Sequence, residues 1–199
     1  MKAAFCSLYE KYNIVLKPLI SEQEGRLETF AAPLLESLSR MLDAVSLADA
    51  CDEDLQKVEY IKVADEALDL SISYSYQYLI YALQKNIEAF EEKAPQDVRN
   101  RIDGGKFAGP YESQKNSIVQ LLKTCDQQKD DIRSLPLYKD AYYQLIELER
   151  LVNAHHTELV IAEEGKKSWI KDFVLKGVSI AISIIVGYIV GKYLTMWFL

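Results

Sequence analysis

The sequence predicts an all-α fold: an antiparallel bundle of about five helices, several of them long, followed by one C-terminal transmembrane helix. Three observations lead there. Apolar residues recur at three- and four-residue spacing along most of the chain, which marks one buried face per helix. In the first 165 residues the few glycines and prolines mostly gather at breaks rather than spreading through the pattern. Residues 173–199 then form an apolar run of 27 residues with two lysines and no acid.

The elements follow in order. Residues 2–16 carry Phe5, Leu8, Tyr9, Tyr12, Val15 and Leu16 on one helical face, and Pro18 is expected to end or bend that helix. A second pattern runs over about 24–48 through Leu27, Phe30, Leu34, Leu35, Leu38, Met41, Leu42 and Val45, with Pro33 setting a kink or a start nearer Ala32. The third extends over about 52–93 with no proline or glycine, its seam passing through Leu55, Val58, Ile61, Ala64 or Asp65, Leu68 and Ile72. Within it, SISYSYQY at 71–78 alternates as a strand would. Helical spacing on both sides makes it helix, with Tyr74, Tyr78 and Tyr81 as an inward aromatic stripe. IDGGKFAGP at 102–110 is a loop, because three glycines and a proline in nine residues do not sustain a helix. A fourth helix is expected over about 111–134, with Ile118, Leu121, Leu122 and Cys125 inward. A fifth spans 137–164, with Tyr138, Ala141, Tyr142, Leu145, Leu148, Val152, His155 and Leu159 inward.

The domain boundaries follow from charge. The chain carries −7 overall, but from Lys166 onward five lysines and one aspartate give +4, leaving −11 on the first 165 residues. Residues 1–165 read as an acidic cytoplasmic bundle, 166–172 as a basic juxtamembrane flank and 173–199 as the anchor. A helix of that last length is about 40 Å long and crosses a hydrocarbon core of about 30 Å. Lys166, Lys167, Lys171 and Lys176 lie before or at the start of the span, which places the N-terminal domain in the cytoplasm by the positive-inside rule. Lys192 snorkels at the far end, and Trp169 and Trp197 fall near the two interfaces. The implied localisation is a single-pass, tail-anchored membrane protein, and the first implied partner is the lipid bilayer. The alternative, a fully buried core helix of a soluble protein, needs a pocket around all sides of a 27-residue rod.

Within the span, Ser179, Ser183, Gly187 and Gly191 recur every four residues, and Gly187 and Gly191 form a GxxxG. Small residues let helix backbones approach closely in lipid, where no hydrophobic drive operates between helices. The stripe therefore implies a homo-oligomer through the transmembrane helix, or pairing with another span. An acidic domain repels nucleic-acid phosphates. It suits instead an unidentified protein partner or its own copies, and a membrane-perturbing effector is one form of that idea. Cys6, Cys51 and Cys125 are too scattered for a disulfide framework or a zinc site and read as buried reduced thiols. No cofactor and no metal is implied: the residues three before the histidines are Val152 and Asn153, not the glutamates of a di-iron bundle.

One segment carries a catalytic alternative. In ELERLVNAHHTEL, Arg150 precedes His155 and His156 by five and six positions. This resembles the Rx4–6H motif of HEPN-type domains, all-helical and often dimeric, although Leu151 stands where that family commonly has a polar residue. The resemblance implies metal-independent RNA cleavage with Arg150, His155 and His156 at the scissile phosphate. A histidine near neutrality shuttles a proton and an arginine braces phosphate charge. Under that reading the protein is a membrane-tethered ribonuclease, the one case in which nucleic acid becomes a partner.

Overall fold

The computed structural model describes residues 2–26, 32–127 and 134–155, all of them in helices or in the turns that join them. Helices are α1 (Lys2–Lys11), α2 (Lys17–Arg26), α3 (Ala32–Ala50), α4 (Asp54–Lys93), the one-turn α5 (Gln96–Arg99), α6 (Ala108–Gln127) and α7 (Leu135–Ala154). A π-helical segment, Tyr12–Leu16, joins α1 to α2, and a 3₁₀ segment, Ile102–Gly105, lies between α5 and α6. The described residues thus hold six helical stretches, α1 to α2 counting as one, in agreement with the expected all-α class. The described residues fall into two compact units, those up to Lys93 with those of Gly109–Ala154, and Ala94–Ala108 with His155.

In the larger unit, α4 is the axis on which α2, α3 and α7 pack. Cross-helix partners give the directions. Lys11 meets Asp65 and Gln23 meets Ser75, so α1 and α2 run parallel to α4. Tyr76 meets Tyr142 and Asn86 meets Glu149, so α7 does the same. Gln114 meets Gln144 and Tyr138 meets Cys125, so α6 runs against α7. At 1.5 Å per residue, the 40 residues of α4 extend for about 60 Å.

Pro18 neither ends nor breaks the first helix. The turn ahead of it widens instead: the Lys17 N–H reaches back five residues to the Tyr12 carbonyl. A π turn relieves the crowding that a proline ring imposes on the carbonyl four residues before it. The other helix-associated prolines sit where their missing N–H costs nothing. Pro33, Pro110 and Pro136 lie in the first turns of α3, α6 and α7, whose N–H groups have no intrahelical acceptor. For the same reason α6 begins at Ala108, inside the stretch expected to be loop. The tight bend is confined to Asp103 (φ 48°), Gly104 (φ 60°) and Gly105 (φ 94°).

The α3–α4 seam is built from small side chains. Leu34, Ser37, Ala44 and Ala48 are buried on α3, facing the stretch of α4 that buries Ala64, Ala67 and Ser71. Small residues let two helix backbones come close. At mid-seam the Ser37 and Ser71 hydroxyls share a hydrogen bond of 2.9 Å. Each also donates within its own helix or shares its proton there, Ser37 toward Leu34 O and Ser71 toward Ala67 O. This seam corrects the expected inward face of α3: Leu35 and Leu42 are exposed, and Leu38, Met41 and Val45 are half-buried. It also shortens the seam expected on α4, because Leu55 and Val58 are exposed and burial begins at Ala64.

The SISYSYQY stretch is helical, as its flanks imply, but its aromatic face is different. Tyr76 is buried and meets Tyr142 at 5.4 Å between ring centroids, whereas Tyr74 and Tyr78 are half-buried and Tyr81 is exposed under Lys85. A seam with small residues on α3 leaves α4 free to turn this part of its surface toward α7. On α7 the expected face holds: Tyr138, Ala141, Tyr142, Leu145, Leu148 and Val152 are all buried. Of the thiols, Cys125 is buried, Cys51 half-buried and Cys6 exposed, so the expectation of three buried cysteines holds only for the first.

Candidate functional site

Two features of the larger unit stand out, one polar and one apolar. The polar one is a clasp across α2, α4 and α7. Arg26 on α2 donates to both oxygens of Glu149 on α7, each at 3.0 Å, and its Nε donates to Glu22 at 3.0 Å. Asn86 on α4 donates to the same Glu149 at 3.0 Å, and the Tyr142 hydroxyl donates to the other oxygen of Glu22. The planar guanidinium matches a carboxylate with two parallel bonds, which fixes direction as well as distance.

The clasp sets the ionisation of its members. The hydrogen bonds from Arg26 hold the Glu149 carboxyl below the usual carboxylate range, against the opposing effect of burial and with further help from Asn86. Burial, and then the bond to Glu22, raises the Tyr142 phenol. Burial and the neighbouring Tyr143 push Tyr76 up to about 12. Five hydrogen bonds thus join Glu22, Arg26, Asn86, Tyr142 and Glu149, which suits a device that locks three helices together. A smaller polar cluster does similar work between α4 and α6, where Glu91 accepts from the Tyr111 hydroxyl at 2.9 Å and from Lys115 at 2.5 Å.

The apolar feature is a groove of about 570 Å³ bounded by α1, the π segment, α2 and α3. Its walls are Phe5, Leu8, Tyr9, Tyr12 and Ile20 on one side and Leu38, Met41, Leu42 and Val45 on the other. Among the described residues no charged side chain lines it. The small-residue seam explains why it exists. When α3 turns Ser37, Ala44 and Ala48 toward α4, its larger side chains are left on the adjoining face. Tyr9 is 71% and Leu42 62% exposed. In proteins generally, exposed apolar surface of this continuity is enriched at binding sites. The sequence pattern identified all of these residues except Ile20, but as core.

Residues expected to carry function from sequence are placed as follows. Arg150 stands on α7 with a largely exposed side chain and pairs with Glu147 three residues earlier. His155 follows α7 directly, half-buried, and its ring meets Phe107 edge-on at 5.2 Å. The two residues belong to different units. His156 lies outside the described residues, as do Lys166, Lys167, Trp169, Lys171, Lys176, Ser179, Ser183, Gly187, Gly191, Lys192 and Trp197. Among the described residues no helix is long and apolar enough to cross a membrane, and no group of three or more histidine, cysteine or acidic side chains is placed to hold a metal ion. Comparison with protein-family models, with curated proteins and with solved structures finds no match.

Proposed function

We propose that this chain is a tail-anchored membrane protein whose helical domain mediates protein interaction, or self-assembly, on the cytoplasmic face. The observation that carries the reading is the division of the chain into an acidic helical body and a 27-residue apolar run behind a lysine-rich flank. Tethering concentrates the domains in a thin layer and raises the effective concentration of any partner held there. The open groove between α1–α2 and α3 supports the interaction half of the reading, since a domain that only filled space would close its apolar surface.

The test has two parts. Alkaline carbonate extraction and protease protection of a C-terminal tag measure insertion, and deletion of 173–199 is expected to release the domain. Gly187→Ile with Gly191→Ile is expected to weaken association in a membrane reporter while leaving insertion intact. Full extraction of the intact chain by carbonate rejects the anchor; an unaltered oligomer rejects the stripe.

The second reading, a membrane-tethered HEPN-like ribonuclease, draws its support from Arg150, whose side chain is 70% exposed and so accessible to a phosphate. Replacing Arg150, His155 and His156 by alanine is expected to abolish RNA cleavage with helicity unchanged if that reading holds. Unchanged RNA turnover removes it.

A further inference from the structure

We infer that, before membrane insertion, the groove holds the chain's own apolar run, with 177–191 laid along it as a helix and Lys176 and Lys192 at its two ends. The inference rests on the reading of 173–199 as an anchor. It adds how that run is kept from water, and the groove from partners, until lipid takes the span.

Length comes first. Phe5 and Ile20, the outermost wall residues on the α1–α2 rod, are 15 positions apart, or about 22 Å. The stretch 177–191 also has 15 residues and is about as long in helical form. It carries no charge, and among the described residues no charged side chain lines the groove, so no ion is desolvated when the two meet.

Charge then sets the register. The three-residue link 51–53 turns α4 back along α3, while α2 runs with α4, so the two groove walls are antiparallel. Glu24 lies one turn beyond Ile20 and Asp49 one turn beyond Val45, both exposed, at opposite ends of the groove. The Gln23–Ser75 bond puts Glu24 level with about Tyr76 of α4, and the Ser37–Ser71 bond puts Asp49 level with about Glu59. The two acids are thus separated by about 25 Å along the bundle. Lys176 and Lys192, 16 positions apart, are separated by about 24 Å in helical form. Each lysine meets an acid, and Lys17 falls between them, beside the uncharged stretch.

The connection is long enough. Glu149 bonds Asn86, so Ala154 at the end of α7 is level with about Glu91 of α4, and Ile20 with about Ile72, an axial gap of about 30 Å. The 21 residues between Ala154 and Lys176 reach up to about 70 Å, which leaves room to pass around the bundle. A covalent link gives the run an effective concentration on the order of millimolar, which favours it over the run of another copy. The groove covers one side of such a helix and a bilayer covers all of them, so lipid draws the run out and uncovers the groove.

The experiment uses the full chain, made by cell-free synthesis without membranes, with photoreactive benzoylphenylalanine replacing Leu42 in the groove wall. Light is expected to join position 42 to 177–191 within one chain, read by peptide mass spectrometry, and phosphatidylcholine vesicles to lower that yield about tenfold. The same probe replacing Ile14, which is 72% exposed and does not line the groove, is expected to give no such product. Glu24→Lys with Asp49→Lys is expected to lower the yield about fivefold, and adding Lys176→Glu with Lys192→Glu to restore it. A probe at 42 that never reaches 177–191, equal products from positions 42 and 14, or yields indifferent to the charge reversals overturn the inference. So does a product joining two chains, because another copy's run is then the occupant. Carbonate extraction after vesicles are added reads the anchor separately. A chain that inserts without the earlier cross-link overturns this inference alone, and one that cross-links yet never inserts overturns the anchor reading.

Discussion

Arg26 and Glu149 stand 123 positions apart in sequence and are joined by two parallel hydrogen bonds of 3.0 Å each, which tie the end of α2 to the C-terminal half of α7. Both side chains are largely shielded, at 24% and 19% exposure. A bidentate pair in that setting exceeds the usual surface ion pair. Arg26→Ala and Glu149→Ala are each expected to destabilise the domain, with a coupling of about 1–2 kcal/mol in a double-mutant cycle read from urea melts. Additive single effects would show that the two side chains act independently.

The same clasp predicts a pH dependence with a definite sign. The Glu149 carboxyl ionises more readily folded than its ordinary value of 4.5. Its contribution is therefore fully present above that value and is lost as pH falls through the lower, folded one. Glu149→Gln is expected to flatten the acid limb of a stability–pH profile. Tyr142 behaves oppositely, because its folded phenol resists ionisation. Its contribution holds below the ordinary 10.0 and is lost as pH rises through the higher folded value. Tyr142→Phe is expected to flatten the alkaline limb; an unchanged limb at either end would remove that residue's assignment.

Small residues at the α3–α4 seam set a steric limit. Ala44 is 3% and Ala67 1% exposed, each on the face its helix turns toward the other. Ala67→Leu is expected to cost about 1–3 kcal/mol or more by forcing the backbones apart. Leu42→Ala, on the exposed groove side of α3, is expected to cost under about 1 kcal/mol. Thermal melts of the two variants test the contrast, and a reversed order would mean that the large face of α3 is the packed one.

The bend before α6 separates two glycines by their surroundings. A Cβ on Gly105 would sit at φ 94° and 3.3 Å from the Asn100 carbonyl oxygen, whereas one on Gly109 meets nothing within 4 Å. Gly105→Ala is expected to destabilise by about 1–2 kcal/mol, and Gly109→Ala to be neutral or to stabilise by up to about 1 kcal/mol. Equal chemical-denaturation midpoints for the two would show that the left-handed bend is not required.

The helical class and the inward face of α7 were legible in the sequence because Tyr138, Ala141, Tyr142, Leu145, Leu148 and Val152 leave only one face to bury. The same logic misread α3. Periodicity rewards large apolar residues and so selected Leu35, Leu38, Leu42 and Val45, while the seam uses Ser37, Ala44 and Ala48. Hydrophobic spacing states that a face is apolar; it does not state whether that face meets its own chain. The groove was therefore present in the pattern and assigned to the core. The clasp was not legible at all, since nothing local to Arg26 announces a partner on α7. Pro18 gave the correct place for an irregularity, and a wider turn there accommodates the ring without ending the helix.

That wider turn ties two jobs to a single stretch of backbone. Up to the first residue of Tyr12–Leu16 the helix offers Phe5, Tyr9 and Tyr12 to the groove, and from its last residue onward Leu16, Leu19 and Gln23 are buried, with the Gln23 amide donating to Ser75 O of α4. Deleting one residue there would spin everything downstream by about 100°. The groove wall and its mooring are geared together, so a slip of one tooth at the π segment would disengage both.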